Sequence, residues 1–255
     1  PVVPIYQGAF RIVPLEIVLG DIRRQAEAGA RHITFGDPDF FNGPTHAMRL
    51  VEAVHAEFPH LTYDATIKIE HLLQHRHLLP ALQRTGCLFV TTAAESTEDH
   101  VLDKLNKGHT RAGFLQALQS VREAGLHLSP TFVPFTPWTT REGYCNLLRL
   151  LADHGLVETV APIQLALRLL IPQGSLILEI PGMDQHLRGF DPAGLLHRWA
   201  HPDPALDALA TEVFQLVSTA QKSGAPRNQV FRQIWHVAHQ VPLPEDFDLL
   251  PRAAI

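Results

Sequence analysis

The sequence has 255 residues, of which 45% are hydrophobic, and 21 Lys and Arg residues against 26 Asp and Glu residues give a net charge of −5. The hydrophobic share predicts a buried core and excludes a disordered chain. The mildly acidic balance gives no reason to expect nucleic acid or an anionic membrane as a partner. No uncharged apolar run reaches the roughly 18 residues of a membrane span, and no basic and then apolar leader opens the chain, so we predict no membrane partner and no export signal.

Cys87 and Cys145 are the two cysteines of the sequence. Two thiols are too few for a disulfide framework, and this scarcity favours a reducing, cytoplasmic location. The sequence begins with Pro1 rather than with methionine, which we interpret as a start that was removed or as a fragment of a longer protein.

One pattern recurs along the chain: an amphipathic helical stretch, a glycine, and then a short apolar run. Glycine adopts the left-handed turn after a helix at low cost, and the chain then enters a strand. The first helix is predicted by the apolar face that Leu15, Val18, Leu19, Ile22 and Ala26 form. The pattern predicts strands at 32–35 after Gly29, at 87–90 after Gly86, at 126–132 after Gly125 and at 156–163 after Gly155, and another at 61–69 after Pro59. Ser96 with Asp99, and Thr139 with Glu142, have the capping-box spacing of helix starts.

Five strand–helix units between about residues 10 and 172 predict an α/β fold, in which helices cover a parallel sheet. One unit before the first visible one would make six, so we predict a partial (βα)6 barrel with five of its six units visible. An open doubly wound sheet is the alternative. After residue 173 prolines and glycines interrupt the pattern, and two helices are predicted at 205–222 and 226–239. We therefore predict a barrel over 1–175 and a C-terminal helical extension over 176–255.

Polar residues gather where the predicted strands end, which is where parallel α/β folds bind ligands. Because parallel strands buried on both faces are nearly all apolar, alternating polar residues predict a wet, functional interior. The second predicted strand has Asp64, Thr66, Lys68 and Glu70 at alternate positions, and the fifth has Gln164, Ala166 and Arg168. The other strand ends carry Gly36-Asp37-Pro38-Asp39, the run from Thr91 to Ser96, and Ser129-Pro130-Thr131.

Each of these positions also has a purely structural interpretation. Gly36-Asp37-Pro38 fits an ordinary turn after a strand, and Ser96 fits a helix N-cap. Glu95 fits a solvated loop carboxylate. Lys68 fits a structural partner of Glu70 or Asp64, and Arg168 fits an edge residue whose charged end reaches water.

The sequence has 16 histidines, and three of them, His71, His75 and His77, fall in one helical stretch. His71 and His75 have the i, i+4 spacing of zinc ligands, but no Glu follows His71 and no nearby cysteine completes a site. We therefore interpret this group as a solvated helix face, and Cys87 as a small apolar strand residue.

The stretch from Gly86 to Thr110 resembles a stretch of radical S-adenosylmethionine (SAM) enzymes, in which a strand ends in Glu-Ser and a helix of the form "vL..lnKg.t" follows. Here these motifs are Ala94-Glu95-Ser96 and Val101-Leu102-Asp103-Lys104-Leu105-Asn106-Lys107-Gly108-His109-Thr110. The segment from Gly29 to Pro38 is similar to the second strand of that superfamily. The resemblance covers about residues 5 to 175, and within the superfamily it is greatest to the subgroup named for its CUAEP or CCAEP tail.

The resemblance implies a SAM site. Gly36, Asp37 and Pro38 match the Gly-Gly-Glu-Pro-like turn that receives the SAM amino group, although one Asp replaces the second Gly and the Glu. Glu95 and Ser96 match a polar pair near the SAM ribose and methionyl part. Thr131 and Gln164 match contacts to the nucleoside, and Lys68 and Arg168 are expected to bind the SAM carboxylate or the substrate.

The resemblance also implies a [4Fe-4S] cluster, which three cysteines after the first strand hold in that superfamily. The sequence has no such loop, since Cys87 and Cys145 are its two thiols, and its end carries no CUAEP or CCAEP tail. We interpret the chain as a radical SAM enzyme truncated before the cluster loop and inactive by itself. The full-length enzyme is expected to act on an unknown small molecule or peptide and to need an electron donor such as flavodoxin or ferredoxin.

Two other functions stay open on the residues alone. Lys68 inside a barrel would suit a Schiff-base lyase or aldolase, because a lysine among polar groups can act as a nucleophile. A non-catalytic remnant that binds a nucleoside or a partner is the other alternative.

Overall fold

The computed structural model describes residues 12–244. The described chain forms, in order, α1 (Leu15–Glu27), β1 (His32–Thr34), α2 (Pro44–Glu57), β2 (Thr62–Thr66), α3 (Ile69–Gln74), α4 (Leu79–Arg84), β3 (Cys87–Glu95), α5 (Asp99–Lys104), α6 (Arg111–Glu123), β4 (His127–Phe132), α7 (Arg141–Asp153), β5 (Leu187–Asp191), β6 (Leu196–Trp199), α8 (Pro204–Ser223) and α9 (Arg227–His239). Short 3₁₀ turns connect some of these elements.

Two compact units make up the described chain. The first comprises residues 12–93 and 112–130, and the second comprises residues 94–111 and 131–244. Strands β3 and β4 begin in the first unit and place their last residues in the second.

A four-stranded sheet with the order β1-β2-β3-β4 organises the first unit. Strands β1 and β2 are parallel, as are β2 and β3, with Ile33 opposite Tyr63 and Ala65 opposite Val90. These residues are buried, and helix α1 buries Leu19 and Ile22 from the face that its sequence predicts. The α/β class and the parallel sheet are therefore confirmed.

The glycines that follow the predicted helices all have left-handed backbone angles, with φ of 96° at Gly29, 100° at Gly86, 74° at Gly125 and 59° at Gly155. Gly86 is also required by packing, because a Cβ atom there would lie 2.7 Å from the carbonyl oxygen of Leu61. At this position the chain turns from α4 into β3.

The second predicted strand is shorter than expected. Strand β2 ends at Thr66, so Lys68 lies outside it and Glu70 lies in helix α3, and the predicted row of four polar residues on one strand face is wrong. The backbone N–H of Lys68 donates to the Asp39 carboxylate at 3.2 Å, and Ile69 and Leu72 bury the face of a new helix. The burial of one face of helix α3 therefore outweighs the alternating polar residues that predicted a strand here.

The fifth predicted strand is wrong as well. A 3₁₀ turn spans Pro162–Leu165. Within the described residues, the 156–168 segment makes one β-bridge, a parallel bridge between Arg168 and Phe135, and no strand. Proline has no N–H to give to a ladder, so Pro162 favours the turn. The predicted count of barrel units thus remains a prediction.

Both predicted helix caps shift along the chain. Helix α5 begins at Asp99 after Glu98, and the Ser96 hydroxyl accepts the N–H of Glu98 instead of capping the helix. Thr140 rather than Thr139 caps α7, because its hydroxyl accepts the N–H of Gly143. The Thr139 hydroxyl is committed to the carbonyl of Pro134 at 2.8 Å.

The second unit contains the C-terminal part of the described chain. Its two predicted C-terminal helices are confirmed as α8 and α9, and a hairpin of β5 and β6 precedes them. Leu169, Ile171 and Met183 form a small apolar cluster in this unit, against which Trp138, Leu187 and Trp199 pack. Among residues 12–244 there is no helix of the length and apolarity that crossing a membrane requires.

Candidate functional site

The turn after β1 holds the first three predicted site residues in the first unit. Gly36, Asp37 and Pro38 are exposed, and the Asp37 carboxylate accepts the backbone N–H of Asp39 at 2.9 Å. A Cβ atom at Gly36 would meet no atom within 4 Å, so packing does not require glycine there. These contacts are those of a turn that the Asp37 carboxylate closes by a hydrogen bond to the backbone.

Lys68 lies at the entrance to α3, and its side chain is 53% exposed. Its ammonium is 3.5 Å from Oδ2 of Asp39, so neither Glu70 nor Asp64 is the partner that the sequence suggested. His71 Nδ1 lies 2.8 Å from the same oxygen, and the His71 side chain is 22% exposed. The interpretation of His71 as part of a solvated face is therefore wrong.

Asp64, in the middle of the sheet, does not face the water-filled interior that the sequence predicted. Its carboxylate is buried, accepts the Thr34 hydroxyl at 2.7 Å and lies 2.9 Å from His32 Nε2. Neighbouring parallel strands therefore satisfy this polar residue internally, as buried polar groups require.

Glu95 ends strand β3 in a conformation unusual for a residue with a side chain. Its φ is 61°, in the left-handed region, where a residue other than glycine costs of order 1–3 kcal/mol. Its Oε1 accepts the Lys107 ammonium at 2.8 Å, and its carbonyl accepts the N–H of Val133. Strained backbone of this kind persists where surrounding contacts hold it and is common at ligand sites.

The second unit places further predicted residues beside this strand end. Ser96 follows Glu95 directly, and the Gln164 side-chain oxygen accepts the backbone N–H of Phe132, which follows Thr131 at the end of β4. A parallel bridge between Phe135 and Arg168 places the 164–168 segment next to the residues that follow β4. The ends of β3 and β4 and the 164–168 segment thus lie side by side.

Arg168 is engaged within the second unit. Its guanidinium donates to Asp207 at 2.6 Å and to the carbonyl of Trp199 at 3.3 Å, and it lies 4.1 Å over the Trp199 ring. It also lines an apolar cleft of about 400 Å³, together with Ala166, Leu167, Leu170, Ala210, Thr211 and Phe214. The Asp207 pair holds the guanidinium inside the second unit, which differs from the edge residue reaching water that the sequence suggested.

Glu98 carries a perturbed carboxyl near the same strand end. Burial raises its pKa, against the lowering effects of His100 and of the hydroxyl of Thr140. The carboxylate lies against Gly143 in the first turn of α7, where any side chain would overlap it. A carboxylate suits this position because helix N-termini carry partial positive charge.

The thiols of the sequence do not fit a four-iron cluster. Cys87 is 4% exposed, and burial raises its pKa to about 12, while burial also raises the pKa of the Cys145 thiol. The two cysteines belong to different units, and between residues 12 and 244 no three His, Cys, Asp or Glu side chains form a group that could hold a metal ion. Cluster ligation needs thiolates, which this burial disfavours.

Alkylation should distinguish the two thiols. We expect iodoacetamide to label the native protein at Cys145 first, because Cys145 is part-exposed and Cys87 is buried in β3. Peptide mass mapping before and after unfolding in urea measures this order. Equal labelling rates in the native protein would contradict the burial of Cys87.

Comparisons with known proteins bear on the fold. No protein family model matches the chain. The tRNA-2-methylthio-N(6)-dimethylallyladenosine synthase of Chlorobium luteolum (strain DSM 273 / BCRC 81028 / 2530) is 30% identical over 149 residues, which are 52% of this chain and 31% of that protein. The chain thus spans about a third of this curated relative.

Two solved structures are similar in fold. OxsB, a cobalamin-dependent S-adenosylmethionine radical enzyme solved with aqua-cobalamin and S-adenosylmethionine bound, has a TM-score of 0.72 at 12% identity, over 82% of this chain and 38% of OxsB. TsrM from Kitasatospora setae, a radical S-adenosylmethionine methyltransferase solved with tryptophan and a SAM analogue, has a TM-score of 0.55 at 15% identity, over 80% of this chain and 46% of TsrM.

The fold of the chain is therefore the fold of radical SAM enzymes. The resemblance to the radical SAM superfamily, predicted from the sequence, is confirmed.

Sequence reasoning missed three side chains, one beside Glu95 in the second unit and two that contact each other in the first unit. Lys107 lies in the motif that carried the resemblance, but only the fold shows that it contacts Glu95. The sequence indicated Asp39 only as a turn residue and His71 only as a surface histidine, and their contact joins the turn after β1 to helix α3, 32 positions further along the chain. No local spacing signals such a contact.

Proposed function

We propose that this chain is the SAM-binding body of a radical SAM enzyme. The observation that carries the proposal is Glu95, which ends β3 in a left-handed conformation with its carboxylate held by Lys107. The radical SAM fold supports the same assignment. In OxsB and TsrM the solved structures contain SAM or a SAM analogue.

The side chains at the ends of β3 and β4 suit a nucleoside. A carboxylate can accept hydrogen bonds from two ribose hydroxyls, and one oxygen of Glu95 is already fixed by Lys107. The proposal assigns Ser96 to the methionyl and ribose part, and Thr131 and Gln164 to the nucleoside. Gly36, Asp37 and Pro38 are proposed for the SAM amino group, and Lys68 and Arg168 for the SAM carboxylate or the substrate.

A [4Fe-4S] cluster, when bound, would supply the electron that cleaves SAM to an adenosyl radical. The thiols present do not fit that cluster, so we propose that its cysteines belong to a longer form of the protein and that this chain alone does not cleave SAM. The longer enzyme would abstract hydrogen from a small molecule or peptide and would take electrons from a flavodoxin- or ferredoxin-type donor. Its cytoplasmic location, and its assignment to the CUAEP or CCAEP subgroup, stay predictions.

The lyase alternative has no support in the described contacts. A Schiff-base lysine is desolvated or lies beside another cation, whereas the Lys68 side chain is 53% exposed and lies 3.5 Å from a carboxylate. Because the two thiols do not fit a cluster, binding of a nucleoside without cleavage of SAM is the second candidate function.

Ligand binding tests the proposal on the chain itself. We expect S-adenosylhomocysteine, a stable SAM analogue, to bind the wild type and to bind Glu95→Gln at least about tenfold more weakly, because a charge-assisted hydrogen bond is worth about 1.5–3 kcal/mol. Lys107→Met should weaken binding too, because it releases the carboxylate. Equilibrium dialysis, with saturation-transfer NMR for weak binding, measures the affinities.

The control is Lys104→Met, which removes an exposed lysine three residues before Lys107. Its affinity should equal that of the wild type. Absence of wild-type binding, or equal binding by wild type and Glu95→Gln, would overturn the SAM site at the end of β3.

A further inference from the structure

A carboxylate and an imidazole meet where β1 and β2 end in the first unit. Asp39 is 2% exposed, and its Oδ2 lies 2.8 Å from Nδ1 of His71. Its Oδ1 accepts the backbone N–H of Lys68 at 3.2 Å. A carboxylate buried to this extent needs charged or donating partners, and the groups close to it here include the imidazole of His71 and the backbone N–H of Lys68.

The contact is close but incomplete. Both Asp39 Oδ2 and His71 Nδ1 are fully buried, and neither has an aligned hydrogen bond. Catalytic hydrogen bonds are often misaligned in the absence of ligand and tighten when a ligand binds. This geometry fits a pair whose hydrogen bond tightens when a ligand binds.

The chemistry of the pair determines which ring nitrogen of His71 carries a proton. An ionised carboxylate can only accept hydrogen bonds, so the imidazole nitrogen facing it must carry a proton. In neutral His71 this leaves the lone pair on Nε2. The His71 side chain is 22% exposed while its Nδ1 atom is buried, so the exposed part of the side chain does not include the nitrogen that faces the carboxylate.

The position of the pair favours function over stability alone. Asp39 belongs to the turn after β1, and His71 lies in the first turns of α3 after β2. Parallel α/β folds bind ligands at this edge of the sheet. Among the described contacts, the charged or titratable groups near the pair are Lys68, whose ammonium is 3.5 Å from Oδ2, His75, whose ring centroid is 5.9 Å from that of His71, and Asp37, whose carboxylate accepts the backbone N–H of Asp39 at 2.9 Å.

We propose that Asp39 and His71 form an acid–base dyad, in which Asp39 is a positioning residue and Nε2 of His71 exchanges a proton with the substrate. The substrate class is a molecule with an ionisable N–H or O–H group. In the forward step Nε2 takes the proton and the substrate keeps the electron pair of the broken N–H or O–H bond. The imidazolium so formed is stabilised by the Asp39 carboxylate, and water later removes the proton.

Nitrogen NMR of the ¹⁵N-labelled chain tests the dyad without substrate. At a pH where His71 is neutral, we expect its proton on Nδ1, the form less favoured by free histidine. In Asp39→Asn this preference should be lost. His71→Gln assigns the signals, and His77, exposed and without a carboxylate partner among the described contacts, is the internal control.

Acylation by diethyl pyrocarbonate, mapped by mass spectrometry, tests the accessibility of Nε2. His71 should be modified in the wild type and severalfold more slowly in Asp39→Asn, while His77 should react equally in both. A wild-type His71 with its proton on Nε2, or a His71 that does not react, would overturn the dyad. The wild-type spectrum decides even where Asp39→Asn does not fold, and since neither measurement uses SAM, failure of the SAM site would be seen separately.

Discussion

Gly86→Ala is expected to destabilise the protein by about 2–4 kcal/mol, the largest effect we predict for a single methyl group. The alanine would have to adopt a φ of 100° and place its Cβ 2.7 Å from the carbonyl oxygen of Leu61. The backbone cannot easily move aside, because the Gly86 carbonyl accepts the N–H of Tyr63 at 3.0 Å. Urea unfolding followed by circular dichroism measures the loss.

Gly29→Ala is the matched control. Gly29 has nearly the same φ, 96°, but a Cβ atom added there would meet no other atom within 4 Å. We therefore expect a cost of about 1 kcal/mol, from the left-handed conformation alone. Equal losses for the two variants would show that the contact with Leu61 relaxes and that the close approach of the α4–β3 turn to β2 is not required.

Asp207→Ala is expected to cost about 2–3 kcal/mol, because it leaves the part-buried Arg168 guanidinium without its carboxylate. Asp207 also accepts the backbone N–H of His201 at 3.0 Å and lies in the first turn of α8, where negative charge is favourable. Chemical denaturation of Asp207→Ala, Arg168→Met and the double variant measures the coupling between the two residues.

The same set of variants at Asp21 and Arg24, namely Asp21→Ala, Arg24→Met and the double variant, provides the comparison for this ion pair. Asp21 contacts Arg24 on the exposed face of α1, and such surface pairs contribute less than about 1 kcal/mol. A coupling between Arg168 and Asp207 no larger than that between Asp21 and Arg24 would contradict the anchoring role. Arg168 would then be available to the SAM carboxylate or the substrate.

The Gly86 and Asp207 variants probe different supports of the proposed SAM site. Gly86 sets the start of β3, the strand that carries Glu95 at its other end. Arg168 lies on the segment that pairs with Phe135 beyond β4. Both variants can be tested without a ligand.

Local chemistry in the sequence was enough to predict much of the fold. The helix–glycine–strand pattern predicted α1, β1, β3, β4 and their left-handed glycines, because helical burial and the conformational freedom of glycine act over a few residues. The resemblance carried by Glu95, Ser96 and Lys107 predicted the radical SAM fold. The composition predicted a buried core.

Contacts between distant residues were decided by the tertiary structure. Alternation alone predicted a strand through Lys68 and Glu70, but the Asp39 carboxylate and the buried face of α3 end β2 at Thr66. The Glu95–Lys107 and Asp39–His71 contacts likewise depend on how the chain after a helix, or a helix itself, packs against the end of a strand or the turn after it. Short-range patterns report which residues prefer to be buried or to turn, whereas the partner of a buried charge is chosen by whichever distant group the packed sheet places beside it.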